Sequence, residues 1–252
     1  MEKVYFTNSR GMKLAGNYRD TDGKTIILFC HGFLSDKSSR GRFDRFAEVL
    51  SKDGYATLAF DFSGCGESDD DFITVKKETD DLISALAFAR QKGYDRVGLY
   101  GHSLGSRICL EACAAAGNIK AMIFTGAATG PVYYQWEEHF SKEQLKELEE
   151  KGYITVQTEG LRKQILIDGR MLLDFEKADQ KKLLSKIDCP VLILHGEDWE
   201  EKMLSELTRK GMELLNADSR MVIISGASHS FMEHLDIVEK YMLQWFRKHL
   251  PI

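Results

Sequence analysis

No run of apolar residues in this 252-residue chain is long enough to cross a bilayer. The longest uncharged stretch, Ala121 to Trp136, is too short for a span and is interrupted by Gly126, Gly130 and Pro131. The segment from Met1 to Gly11 mixes charge and polarity, so neither a secretory leader nor a membrane partner is expected. Basic residues form no cluster able to grip a phosphate backbone, and 34 of them against 39 acidic ones leave a formal charge of −5. Nucleic acid is not an expected partner. The five cysteines (Cys30, Cys65, Cys109, Cys113 and Cys189) are odd in number and match neither a zinc site nor a redox pair, although Cys109 and Cys113 stand one helical turn apart. Three of them sit in apolar runs, which reads as buried free thiols in a reducing cytoplasm. Repeats, low-complexity tracts and linkers are missing too.

What is present is the balance of a soluble globular protein, 43% hydrophobic and 29% charged, able to bury a large core without disulfides or metal. At roughly 150 residues per domain the length corresponds to about 1.7 domains. Short β-rich runs at Thr25–Cys30, Tyr55–Phe60, Arg96–Tyr100, Ile119–Thr125, Val191–Leu194 and Met221–Ser225 alternate with helical patterns. These runs are nearly continuous in apolar residues, as parallel strands covered on both faces require. Val4–Thr7 and Lys13–Tyr18, joined at Ser9-Arg10-Gly11, alternate more and predict an antiparallel hairpin at the sheet edge. Helices are predicted at Phe43–Leu50, Thr79–Gln91, Leu104–Ala116 and about Leu235–His249. Strand and helix in alternation mean a doubly wound α/β sheet.

One stretch breaks the rhythm. Between Ala127 and Pro190 lie about sixty residues without a convincing strand, where this architecture normally needs a single helix. They hold an aromatic cluster (Tyr133, Tyr134, Trp136, Phe140), an acid-rich amphipathic helix around Ser141–Lys151, a short hairpin at Tyr153–Gln157 and a helical stretch through Met171–Leu184. This segment reads as an insertion.

The chemistry is concentrated after Arg96–Tyr100. That strand runs into Gly101-His102-Ser103-Leu104-Gly105, and Leu104 opens a helix. Such a turn is so tight that only small residues fit two places before and after the serine. It holds the hydroxyl above the sheet and turns the next backbone N–H toward a developing oxyanion. Ser103 is therefore the candidate nucleophile. Among seven histidines, His229 lies between the last strand and the last helix and follows the acids in chain order, as this turn type demands. His31 and His195 each end a strand before a glycine and read as loop-shaping residues. His102 should point away from a site that Ser103 points into, and His234 reads as a surface residue. The acid is expected in His195-Gly196-Glu197-Asp198-Trp199-Glu200-Glu201. Asp198 is the leading candidate, with Glu197 and Glu200 as alternatives; the acid run also reads as a solvated helix start. The second oxyanion donor is expected from the loop His31-Gly32-Phe33-Leu34-Ser35, with the Phe33 and Leu104 amides forming the hole.

Together with Asp61-Phe62-Ser63-Gly64-Cys65-Gly66-Glu67-Ser68, Pro190-Val191-Leu192-Ile193-Leu194-His195-Gly196 and Gly226-Ala227-Ser228-His229-Ser230-Phe231, these motifs make the chain resemble the α/β-hydrolases. It is most similar to the small bacterial cinnamoyl and feruloyl esterases, close to the serine aminopeptidase-like branch, and the resemblance covers nearly the whole chain. It implies one domain over residues 1–252 with a mostly parallel eight-stranded sheet, the N-terminal hairpin, and a small helical cap at about 130–187. Relatives place one more residue before the acid and then a Val-Pro pair; here Asp198 comes early and no proline follows between Trp199 and Lys202. The expected activity is hydrolysis of small to medium acyl or aromatic esters through an acyl-enzyme on Ser103. Tyr133, Tyr134, Trp136 and Phe140 would line the acyl pocket or fasten the cap, and no metal or organic cofactor is needed. Thioester cleavage or acyl transfer would use the same groups; a non-catalytic ligand binder is the reading from another class.

Overall fold

A computed structural model of the chain describes residues 1–158 and 162–252. Its strands, in chain order, are β1 (Glu2–Thr7), β2 (Lys13–Arg19), β3 (Thr25–Cys30), β4 (Ala56–Phe60), β5 (Phe72–Ile73), β6 (Arg96–His102), β7 (Ile119–Thr125), β8 (Tyr153–Gln157), β9 (Gln164–Asp168), β10 (Val191–His195) and β11 (Arg220–Ile223). Eight of them form one sheet in the order β1-β2-β4-β3-β6-β7-β10-β11. β2 pairs antiparallel with β1 and with β4, and every other neighbouring pair in this sheet is parallel. The expected edge hairpin is thus present.

The continuous apolar runs follow from burial on both faces. In β3, Ile26, Leu28 and Cys30 pack into one core with α2 (Val75–Gln91) and α3 (Leu104–Ala116). Ile27 and Phe29 face the other core, built with α1 (Arg42–Lys52) and α9 (Leu235–His249). Alternate residues of one strand therefore serve opposite layers, which is why every position after Thr25 in it is apolar. The chain turns outward from β3 to β4 and later passes back to β6 on the other side. The point where its direction across the sheet reverses lies between β3 and β6, where such sheets open a crevice at the strands' carboxyl ends.

The excursion between β7 and β10 carries α4 (Trp136–His139), α5 (Lys142–Lys151), β8, β9, α6 (Gly169–Glu176) and α7 (Gln180–Leu184). Ser141 starts α5 with a capping box closed by Gln144. The helical stretch expected through Met171–Leu184 is two helices, because the Asp179 carboxylate accepts from Lys182 N and begins a new one. Tyr153–Gln157, expected to hold a short hairpin, is instead one extended strand, because all five of its residues pair antiparallel with β9; β5 joins β9 in parallel. These helices are thus accompanied by a second, three-stranded sheet that borrows one strand from outside the excursion. The remaining helix, α8 (Trp199–Gly211), follows β10 directly. Among the described residues, no helix is long and apolar enough to cross a membrane.

Candidate active site

Ser103 sits between β6 and α3 with φ 52° and ψ −122°, a left-handed conformation that an L residue adopts only under constraint. The constraint is visible around it. Its N–H donates to Thr125 O at 2.9 Å, and its carbonyl accepts from the Ser106 amide (2.9 Å) and hydroxyl (2.6 Å). A Cβ at Gly105 would stand 2.1 Å from the Cys30 carbonyl oxygen, and one at Gly101 would stand 2.7 Å from Ser106 N. Both glycines are required by close backbone approach, which keeps α3 tight against β3 and lifts the serine above the sheet.

His229 Nε2 lies 2.9 Å from Ser103 Oγ. Its Nδ1 meets a carboxylate in a short hydrogen bond, and that carboxylate belongs to Glu201, not to Asp198. The reason is the helix start. Asp198 is the N-cap of α8: its Oδ1 accepts from Glu201 N at 2.8 Å and its Oδ2 accepts from the His229 backbone N–H at 2.7 Å. Capping turns Asp198 away from the imidazole, and Glu201, three residues on, reaches it instead. Neither alternative meets Nδ1. Glu197 accepts from Ser225 Oγ and Gly226 N, whereas Glu200 accepts from the Tyr134 hydroxyl at 2.9 Å and lies 4.0 Å from His229 Nε2. The signal in the sequence was the solvated helix start: Asp198-Trp199-Glu200-Glu201 has the N-cap and N3 residues of a capping box.

Glu201 is fully buried. Burial alone would raise its pKa, but hydrogen bonds from His195 and His229 outweigh it and bring the carboxyl down to about 2. For His229, desolvation disfavours the imidazolium, yet the Glu201 hydrogen bond and the charges of Glu200, Glu201 and Asp198 leave its pKa raised. Space here is tight, since a Cβ at Gly126 would come within 2.6 Å of His229 Cε1 and 2.7 Å of Glu201 Oε1.

His102 does not point away as expected. Its ring centre is 5.2 Å from that of His229, and its Nδ1 lies 3.0 Å from Thr125 Oγ1 and 3.3 Å from Arg42 Nη1. Burial and the positive charge of Arg42 push its pKa well down, so it is uncharged. Arg42, at the start of α1, also donates to Ser230 O at 2.7 Å and so pins the residue next to His229. His31 is buried, with Nδ1 2.9 Å from Gly32 O and Nε2 accepting from Phe62 N at 3.2 Å. Leu104 is the first residue of α3, so its N–H has no intrahelical acceptor. Gly32 passes close enough that a Cβ there would stand 3.3 Å from Ser103 Cβ, and Phe33 follows it on the wall of the same cleft.

That cleft has a volume of about 1130 Å³ and contains Ser103 and His229. One wall is apolar: Phe33, Tyr134, Trp136, Phe140, Ile165 and Phe175. Phe175 of α6 was not anticipated from the sequence. Its ring lies 5.7 Å from Phe33, 5.5 Å from Tyr134 and 5.7 Å from Trp136, so it joins the strand-end loop to the excursion. Tyr133 is not part of the wall. It is 70% exposed, because exposure alternates along 132–136 and its neighbours Val132 and Tyr134 take the inward positions. Among the described residues, no group of three or more His, Cys, Asp or Glu side chains is placed to hold a metal ion.

The model of the α/β-hydrolase fold family matches residues 25–152. An uncharacterized 31.7 kDa protein from the traX-finO intergenic region of Escherichia coli is 27% identical, over 89% of this chain and 91% of that one. The mouse mitochondrial palmitoyl-protein thioesterase ABHD10 is 28% identical over 87% of this chain and 74% of its own. Among solved structures, Est1E from Butyrivibrio proteoclasticus with bound ferulic acid superimposes with a TM-score of 0.77 at 20% identity, covering 99% of this chain and 100% of that one. The strand order, the strained serine turn and the matched family model agree: the chain belongs to the α/β-hydrolase family.

Proposed function

We propose that the protein is a serine hydrolase of carboxylic esters, with Ser103 as nucleophile, His229 as general base and Glu201 as the acid. The observation that carries this reading is the 2.9 Å contact between His229 Nε2 and the hydroxyl of a serine on a strained turn. His229 takes the Ser103 proton as Oγ attacks the ester carbonyl. The Leu104 and Phe33 amides receive the oxyanion, and Glu201 stabilises the imidazolium. His229 then protonates the departing alcohol, leaving an acyl group on Ser103. Water, deprotonated by the same imidazole, attacks the acyl-enzyme, and the acid leaves with Ser103 reprotonated.

The excursion from about 130 to 187 acts as a cap on a single catalytic domain, and its aromatic wall receives the acyl group. Tyr134, Trp136, Phe140 and Phe175 both line the cleft and pack on one another, so fastening and recognition fall to one element. Thioesters follow the same chemistry, a second reading favoured by the similarity to a palmitoyl-protein thioesterase. The five free thiols suit a reducing cytoplasm.

The test is a panel of p-nitrophenyl esters from short to long acyl chains, with a methyl hydroxycinnamate and matching thioesters. Ser103→Ala should lower kcat by roughly 10⁴-fold or more while the fold is kept. Retained activity in that variant removes the assignment.

A further inference from the structure

His195 was expected only to shape a loop, and its counterpart His31 does that. Both residues end a buried strand and precede a glycine, but their partners differ in kind. His31 hydrogen-bonds to backbone, through Gly32 O and Phe62 N, and its ring lies 4.6 Å from that of Phe62. His195 Nδ1 instead lies 2.8 Å from Glu201 Oε2, the oxygen that does not face His229. Gly196 N donates to the same oxygen at 2.9 Å. We infer that His195 is a positioning residue for the acid: with Gly196 it fixes one oxygen of Glu201 so that the other stays on His229. This inference rests on the hydrolytic reading above.

The need for such a residue follows from where Glu201 stands. At the third position of α8, a glutamate ordinarily folds back to the backbone of its own N-cap residue. A long, flexible side chain left to itself would populate that conformation as well as the one reaching His229. Here both oxygens are drawn across to the strand end, one to each histidine.

An ionised carboxylate only accepts, so His195 Nδ1 carries the proton. The other ring nitrogen, Nε2, meets the Thr208 hydroxyl at 2.9 Å. Thr208 Oγ1 lies 3.2 Å from Thr129 Oγ1, which accepts from Gln180 Nε2 at 3.3 Å. Gln180 belongs to α7 and also donates to Leu207 O at 2.8 Å. His195, Thr129, Thr208 and Glu201 are all buried, which shields this part of the chain from bulk solvent. A hydrogen-bond path therefore connects the excursion to the carboxylate beside the base.

The experiment compares His195→Leu, His195→Asn and Thr208→Val in the full chain. Leucine occupies space without a donor, asparagine returns an N–H near the place of Nδ1, and valine removes the hydroxyl from Nε2. His195→Leu should lower kcat about 10- to 100-fold with little change in KM, the scale of losing a supporting partner. His195→Asn should recover most of that loss, and Thr208→Val should lower kcat several-fold. The far-downfield proton resonance of His229 Nδ1–H against Glu201 should broaden or move in the leucine and valine variants and return with asparagine. Equal kcat in His195→Leu and His195→Asn at equal folded fraction overturns the inference, as does an unmoved resonance in Thr208→Val. The resonance needs no turnover. A wild-type protein that hydrolyses none of the esters defeats the functional reading alone, while the spectrum still decides the role of His195.

Discussion

The carboxylate expected at the His229 imidazole was that of Asp198, and the one that stands there is that of Glu201. Asp198 caps α8 and holds the His229 backbone, whereas Glu201 meets the imidazole. Glu201→Gln should therefore lower kcat by about 10²- to 10⁴-fold, since the wrong histidine tautomer and a lost charge both follow. Asp198→Asn should cost less than Glu201→Gln, because its one amide oxygen keeps either the helix cap or the bond from the His229 N–H, and the contact from Glu201 to the imidazole stays. Steady-state rates on one ester rank the two, and the reverse order returns the acid to Asp198. The pH profile gives a second check. His229 works as a base only when neutral and its pKa is raised, so activity should fall with acid at a pH above the ordinary histidine value of about 6.5. Removing the Glu201 charge removes part of that rise, so the limb should move to lower pH in Glu201→Gln. The nucleophile and base candidates were readable because their motifs are local: a glycine-spaced turn and a histidine on a strand-to-helix loop. The acid was not, because the same five residues encode a helix start, and the distance to a distant imidazole decides which carboxylate is free to reach it.

At the scale of elements, the β6–turn–α3 unit depends on backbones that nearly touch. Gly105→Ala would place a methyl 2.1 Å from the Cys30 carbonyl, where the neighbour is backbone and cannot yield. The melting temperature should drop by roughly 10 °C or more, measured by circular dichroism. The aromatic wall makes a softer prediction. Trp136→Ala or Phe175→Ala should raise KM about tenfold for long or aromatic acyl esters and leave acetyl esters nearly unchanged, as loss of a large apolar contact in a pocket implies. A uniform change across acyl size would show that these rings only fasten the excursion. The core strands were legible because burial on both faces writes unbroken apolar runs. β5 and β9 were not: β5 is two residues long, and its pairing with β9 joins segments far apart in the chain, so no local pattern announces it. Phe175 was hidden in the same way, inside a helix whose apolar positions look like ordinary core.

For the whole molecule, the length is accounted for by one sheet and one excursion. Ser103 follows β6, Glu201 lies in the helix after β10, and His229 comes after β11. Three separate chain segments thus meet at the carboxyl ends of the parallel strands β6, β10 and β11, on the side of the sheet beyond the crevice where its winding reverses. The cleft they share is bounded on its apolar side by the excursion. Under the proposed function, substrate choice belongs to that segment and the chemistry to the sheet. The central claim is that Ser103 is an activated nucleophile. A fluorophosphonate probe followed by peptide mapping tests it most directly. A single adduct on Ser103 is expected, formed in parallel with loss of ester turnover and strongly slowed in Glu201→Gln. A folded protein that forms no adduct at Ser103, or one that keeps turning over esters once Ser103 is fully labelled, would contradict it.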